Sequence, residues 1–246
     1  MESLAKLSFV ATSLVMLTVG GRLLWAWRRT RAVPELAIGL AYSLGMVGLF
    51  LTIAMTHRTL AGHDVFGAWY AGHCGIVLGQ ATLILGVWRI FRPNSARAAA
   101  TAWTAVAVCA ATMGWTFFRD EAYVYTEVDS YLLLTTAISV FSYSWIAGES
   151  LWYASQLNRR RALGLSDSLT VARFVLWGFG GGSVVVVSLL SIFSVAAYGE
   201  GLSHVPWIFM LTQGMLVISC TSTWFAFFPP VFYRRLFEAS DQHVTA

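Results

Sequence analysis

Charge is scarce in this 246-residue chain: Asp, Glu, Lys and Arg make up 11% of it, against about 25% in an ordinary soluble domain. So low a share leaves little to solvate a water-facing surface. Lysine is nearly absent, with Lys6 the single example. Cysteine is limited to Cys74, Cys109 and Cys220. All three fall inside apolar stretches, and a disulfide framework needs pairs in oxidising loops, so no structural disulfide is expected. The five prolines, Pro34, Pro93, Pro206, Pro229 and Pro230, all stand between or at the ends of apolar stretches. Interior proline would remove a helical hydrogen bond and kink the helix, so sharp proline kinks are not expected. Linkers, low-complexity tracts and a soluble catalytic domain are missing too, and one bundle spanning 1–246 is the simplest organisation.

What the chain does have is apolar length. Seven stretches cover about 7–27, 36–56, 66–88, 98–118, 131–155, 169–198 and 207–228. Each is long enough to cross a hydrocarbon layer of about 30 Å at 1.5 Å per residue. The expected fold is all-α, a seven-transmembrane-helix bundle. Leu7 to Gly21 has the length of a signal core, but arginines follow it in place of a small-residue cleavage site, so a retained first helix is expected.

The net charge of +4 is no footprint for nucleic acid, because the basic residues sit at helix ends. Arg28, Arg29, Arg31, Arg89, Arg92, Arg97, Arg159, Arg160, Arg161, Arg173, Arg234 and Arg235 fall on one side of the alternating stretches. Lys6, Arg58 and Arg119 fall on the other. Short loops rich in arginine stay cytoplasmic, which places the N-terminus outside, the C-terminus in the cytoplasm and the protein in the plasma (inner) membrane. Tryptophans and tyrosines near the stretch ends, such as Trp25, Trp27, Trp88, Trp152, Tyr131, Tyr198 and Trp207, match the aromatic belts of the two interfaces.

Glycines at 72, 75, 79 and 86 form one stripe of the third stretch. A stripe without side chains lets a neighbouring backbone come close, so the third helix is expected near the centre of the bundle. Gly178, Gly180, Gly181 and Gly182 suggest a second close contact or a flexible point.

Polar groups inside the membrane are costly, so they are the place to look for function. Glu149 lies in the lower half of the fifth stretch, on one face with Ser142, Trp145 and Trp152. A carboxylate there must be neutral, paired or wet. Arg173 and Arg22 are the expected ion-pair candidates for it. His73 and Gln80, seven apart, share a face of the third stretch, and Gln213 lies at comparable depth in the seventh. With Glu149 they are the candidate ligand-binding residues, in keeping with ligand sites between bundle helices. His57 and His73 are weak metal or heme candidates. They, His63 and His204 lack the i, i+4 spacing of a zinc site, and acid on that side comes from Asp120, Glu121, Glu127, Asp129 and Glu200. Neither catalytic residues nor a cofactor are assigned.

The span count and orientation resemble seven-helix receptors and microbial rhodopsins over the whole chain. A rhodopsin-type retinal Schiff base is excluded, because it needs a lysine in the last helix. Pro230, Val231, Phe232 and Tyr233, followed by Arg234 and Arg235, form a Pro-x-x-Tyr run with a short basic amphipathic piece. It is similar to the end of the seventh helix in G-protein-coupled receptors, although Pro229 stands where that motif has Asn, and Val87-Trp88-Arg89 stands in place of an acidic-Arg-Tyr triplet. The resemblance implies a receptor-like or sensor-like membrane protein that binds a small or apolar ligand within the bundle. Three other plans are open. Sugar exporters share the span count but hinge at prolines within spans. Seven-helix zinc amidohydrolases need ligand spacings missing here. An accessory subunit of a larger membrane complex, or a homo-oligomer, needs only lipid-compatible aromatic faces.

Overall fold

The computed structural model describes residues 2–61, 63–119, 128–161, 163, 165–202 and 205–242. Eight helices account for nearly all of them: α1 (Glu2–Thr30), α2 (Val33–Leu60), α3 (Phe66–Phe91), α4 (Ala96–Arg119), α5 (Ser130–Arg161), α6 (Ser168–Tyr198), α7 (Pro206–Phe227) and the short α8 (Val231–Gln242). The first seven are each long and apolar enough to cross a membrane. Many of their large apolar side chains point outward, among them Leu14, Phe50, Phe117, Leu133, Phe179 and Val217. A soluble protein does not tolerate so much contiguous apolar surface, and lipid does. This is an integral membrane protein built as a seven-helix bundle.

Local chemistry sets several helix ends. Asp167 caps α6 by accepting from the Thr170 N–H at 2.7 Å, which satisfies a donor that the first turn leaves free. Gly199 ends α6 in the left-handed region at φ 66°, a conformation without steric cost only for glycine. Pro206 occupies the first turn of α7. Pro229-Pro230 separates α7 from α8, whose Val231, Phe232 and Leu236 are exposed beside Arg234 and Arg235.

Consecutive spans run antiparallel. Their closest approach is between α2 and α3, where the expected glycine stripe finds its partner. A methyl group placed on Gly48 would meet the Gly72 carbonyl oxygen at 2.5 Å, and one on Gly79 would meet the Gly45 nitrogen at 2.8 Å. The two backbones are in direct contact, so side chains are excluded there. On α6 the expected second contact is divided: Gly178 and Gly181 face α5, Gly180 faces α7, and Gly182 faces open space.

The helices form a ring in the order α1, α2, α3, α5, α6, α7, with α7 returning to α1. Helix α4 stands outside it. Among the described residues it touches only α3 and α5. Because α3 and α5 are neighbours of the same direction, the chain crosses back through α4 on the outer side of their seam.

The alternation gathers most of the arginines at one end of the bundle, and the arginine–aromatic stacks found among the described residues are there too. Arg29 lies over Trp25 at 3.7 Å, Arg89 over Trp88 at 4.3 Å, Arg92 over Trp152 at 4.3 Å and Arg22 over Phe228 at 4.4 Å. Flat guanidinium groups on aromatic rings suit a boundary where one side is apolar and the other wet.

Candidate functional site

Three polar rungs join α3 to α5. At the end away from the arginines, His73 is buried flat against Trp69, with ring centroids 5.7 Å apart. Its Nδ1 lies 2.8 Å from the Tyr131 hydroxyl, and its Nε2 lies 3.3 Å from the Thr116 hydroxyl on α4. Seven residues along α3, Gln80 Nε2 donates to Ser139 Oγ at 2.5 Å. Beyond the arginine-rich end of α3, Arg92 Nε donates to both oxygens of Glu149 at 3.0 Å. The rungs climb both helices together, through 73, 80 and 92 on α3 and 131, 139 and 149 on α5, as parallel neighbours require.

The partner of Glu149 is therefore Arg92, a correction to the expected Arg173 or Arg22. Arg173 Nε donates to the Ala226 carbonyl at 2.6 Å and ties α6 to α7. Arg22 is held over Phe228. Helix order excludes Arg22, because α1 does not touch α5, whereas Arg92 caps α3, which lies beside it. Arg173 is on α6, which does pack against α5, but its guanidinium is turned the other way, to the α7 backbone.

The candidate ligand residues do not converge on one site. His73 is locked between α3, α4 and α5, and both of its ring nitrogens are hydrogen-bonded. Glu149 sits at the arginine-rich end. Gln213, on α7, has a buried side-chain oxygen that, like the neighbouring Thr212 hydroxyl, finds no hydrogen-bond partner among the described residues. Only Gln80 of the four lines the hollow at the bundle centre. His57 lies on α2 with its side chain outside the described residues, and His204, Asp120, Glu121 and Glu127 also lie outside them. Among the described residues, His, Cys, Asp and Glu form no group able to hold a metal ion.

The central hollow has a volume of about 290 Å³. All six ring helices contribute to its wall, and α4 contributes nothing. Tyr42, Leu83, Ile146, Trp177 and Thr223 line one end, toward the arginines, and Thr12, Leu49, Ile76, Ser188 and Leu216 line the other. Between them stand Gln80, Ser139, Tyr143, Val184 and Ser219. Among the described residues, no charged side chain reaches the wall. The arginine-side end is closed by a hydrogen bond from Trp177 Nε1 to the Tyr42 hydroxyl at 3.2 Å, with Phe227 packed edge-on against both rings.

The hydroxyls of the wall differ in what they have left to offer. Ser139 donates to the Thr135 carbonyl, Ser188 to that of Val184, and Ser219 to that of Gly180. Each spends its hydrogen on a backbone and presents lone pairs to the hollow. The Tyr143 hydroxyl has no hydrogen-bond partner among the described residues. Reasoning from sequence missed Tyr42, Tyr143 and Trp177. The signal was present: Tyr42 and Tyr143 lie well inside their spans, away from the interfaces where aromatic belts place tyrosine.

A second hollow, of about 470 Å³, lies between α3, α4 and α5. It is lined by Ile84, Ala105, Leu134, Ile138 and Phe141 and by Thr101 and Thr104. Thr101 already donates to the Arg97 carbonyl.

No protein-family model matches this chain, and neither a curated protein nor a solved structure does. The functional reading therefore stands on the site itself.

Proposed function

We propose that this protein is a receptor-like or sensor-like component of the plasma (inner) membrane that binds a small, largely apolar ligand inside the six-helix ring. One observation carries the reading. A hollow bounded by all six ring helices is lined by Tyr42, Gln80, Ser139, Tyr143, Ser188, Ser219 and Thr223 with no charge among them. Buried hydroxyls cost free energy in lipid unless they serve packing or a ligand, and here several face one space.

In this reading the arginine-rich end faces the cytoplasm, as short basic loops do. Occupancy of the hollow biases how α5 and α6 pack, and the change is read out at Arg159–Arg161 and the following connection. A ligand acts this way only through different affinities for two packings.

Extraction of the purified protein, re-addition of the copurifying small molecules and hydrogen exchange test the proposal. Slower exchange in the arginine-side turns of α5 and α6 on re-addition is the expected result. Unchanged exchange, together with stoichiometric copurification of other membrane subunits, would replace a sensor with an accessory subunit.

A further inference from the structure

We propose that the ligand of the ring cavity is an uncharged, slender amphiphile with a single oxygen-bearing end, and that Tyr143 is the residue that recognises this oxygen. The inference rests on the ligand-binding reading above and gives it a chemical class.

Four observations converge. First, the wall carries no charged side chain, and burying an ionised ligand there would leave its charge without a partner, at a cost no neutral hydroxyl offsets. The ligand is therefore neutral. Second, the wall is long for its volume. Its residues run from Ala41 to Leu49 on α2 and from Trp177 to Ser188 on α6, roughly 12–16 Å along the bundle axis at 1.5 Å per residue. The volume of about 290 Å³ then describes a channel rather than a sphere. At roughly 30 Å³ per water-sized group it holds on the order of ten non-hydrogen atoms in a row.

Third, the two ends differ. Tyr42, Trp177 and Thr223 stand at the arginine side with Tyr143 next to them toward the middle, and Leu49, Ile76, Val187 and Leu216 outnumber Thr12 and Ser188 at the far side. A molecule with one polar end and an apolar body matches that division. Fourth, the hydrogen-bond ledger singles out Tyr143. Trp177 donates to the Tyr42 hydroxyl, which is also hydrogen-bonded to Thr223, Thr12 is hydrogen-bonded to Cys220, and Ser139, Ser188 and Ser219 donate to backbone carbonyls. The Tyr143 hydroxyl has no such commitment among the described residues, so it is free to donate to a ligand oxygen. If the ligand oxygen bears hydrogen, the lone pair of Ser139 or Ser219 can accept it.

The test uses the full chain in nanodiscs and three probes of equal length: decan-1-ol, decane and decanoate at pH 8. Thermal unfolding reports binding, because a ligand of the folded state raises the transition temperature. Decan-1-ol is expected to stabilise the wild type, with apparent affinity at least tenfold above that of either other probe. Tyr143→Phe removes one oxygen from a partly buried ring. It is expected to unfold near the wild-type temperature without a probe and to lose about tenfold in decan-1-ol affinity, leaving decane unaffected.

A second variant, Val184→Phe, fills the channel without touching the hydroxyls and is expected to abolish stabilisation by decan-1-ol. If decane stabilises as well as decan-1-ol and Tyr143→Phe changes nothing, the oxygen-recognition claim falls while a binding cavity survives. Preferential binding of decanoate would overturn the claim of a neutral ligand. If no probe stabilises the wild type, both this inference and the ligand-binding reading fail.

Discussion

The two hollows flanking α3 differ in a way that volume does not reveal. The outer one, between α3, α4 and α5, is the larger at about 470 Å³, against about 290 Å³ for the central one. Yet Ala100, Thr101, Thr104, Val108 and Phe141 on its rim are exposed, and lipid chains can fill it. Among the described residues, its two threonines are the only polar side chains on its wall. The central hollow has six walls and a set of converging hydroxyls. Specific binding needs placed polar groups in an enclosed space, and the smaller space has them.

The helix that separates the two cases is α4. It is tied to the ring through Thr116 on His73 and through its Met113 carbonyl, which accepts from the Tyr70 hydroxyl at 3.1 Å. Otherwise it contributes no wall to the central space. Substitutions in the ring should therefore cost more than matched substitutions on α4.

The largest difference is expected for glycine. Gly48→Ala puts a methyl group against the Gly72 carbonyl oxygen and the Ile76 nitrogen, each at 2.5 Å. Backbone cannot swing away as a side chain can, so a loss of about 3 kcal/mol is expected. On α4, a methyl group on Gly114 meets nothing within 4 Å. Gly114→Ala should be neutral, or stabilising by up to about 1 kcal/mol through helix propensity. Parallel denaturation of the two variants in mixed micelles checks both values. Equal losses would show that α2 and α3 are not in backbone contact.

Next comes the rung at the arginine-rich end. Glu149→Ala leaves Arg92 without its carboxylate. Breaking a fully buried pair costs about 3–5 kcal/mol. Arg92 is 40% exposed and Glu149 12%, so water retains part of the charge and about 2 kcal/mol is expected. A double-mutant cycle of Glu149 with Arg92 should give a coupling energy of about 1–2 kcal/mol. The cycle with Arg173 should give none, and a finite coupling there would restore the pairing expected from sequence.

The smallest effect is expected at the middle rung. Ser139→Ala removes the acceptor of Gln80, a loss of about 1 kcal/mol in a membrane bundle, read from the same denaturation curves. A loss above about 3 kcal/mol would mean that Gln80 anchors the ring rather than lining its cavity.

The sequence made some of this legible and hid the rest for physical reasons. The seven spans were plain because lipid demands long apolar helices, and the Gly72, Gly75, Gly79 and Gly86 stripe declared a close contact because glycine in a helix interior otherwise carries only a cost. The identity of the neighbour, α2, was not written there. Glu149 was visible as a carboxylate in need of a partner. Arg92 escaped notice because the pairing depends on α3 and α5 being neighbours, and hydropathy says nothing about the order of helices around a ring. His73, Gln80 and Gln213 looked like one site by depth along their helices. Depth is one coordinate of two, and the angular position sent His73 toward α4 and Gln80 toward the centre. Tyr42 and Tyr143 were legible in principle, as tyrosines placed away from either interface.

Native mass spectrometry of the protein released from nanodiscs tests the central claim most directly, comparing the wild type with Val184→Phe in the ring cavity and Val108→Phe in the outer groove. The expected result is a small neutral molecule carried by the wild type and by Val108→Phe, and absent from Val184→Phe. A molecule retained by Val184→Phe but lost from Val108→Phe would place the site in the groove beside α4 and contradict the account.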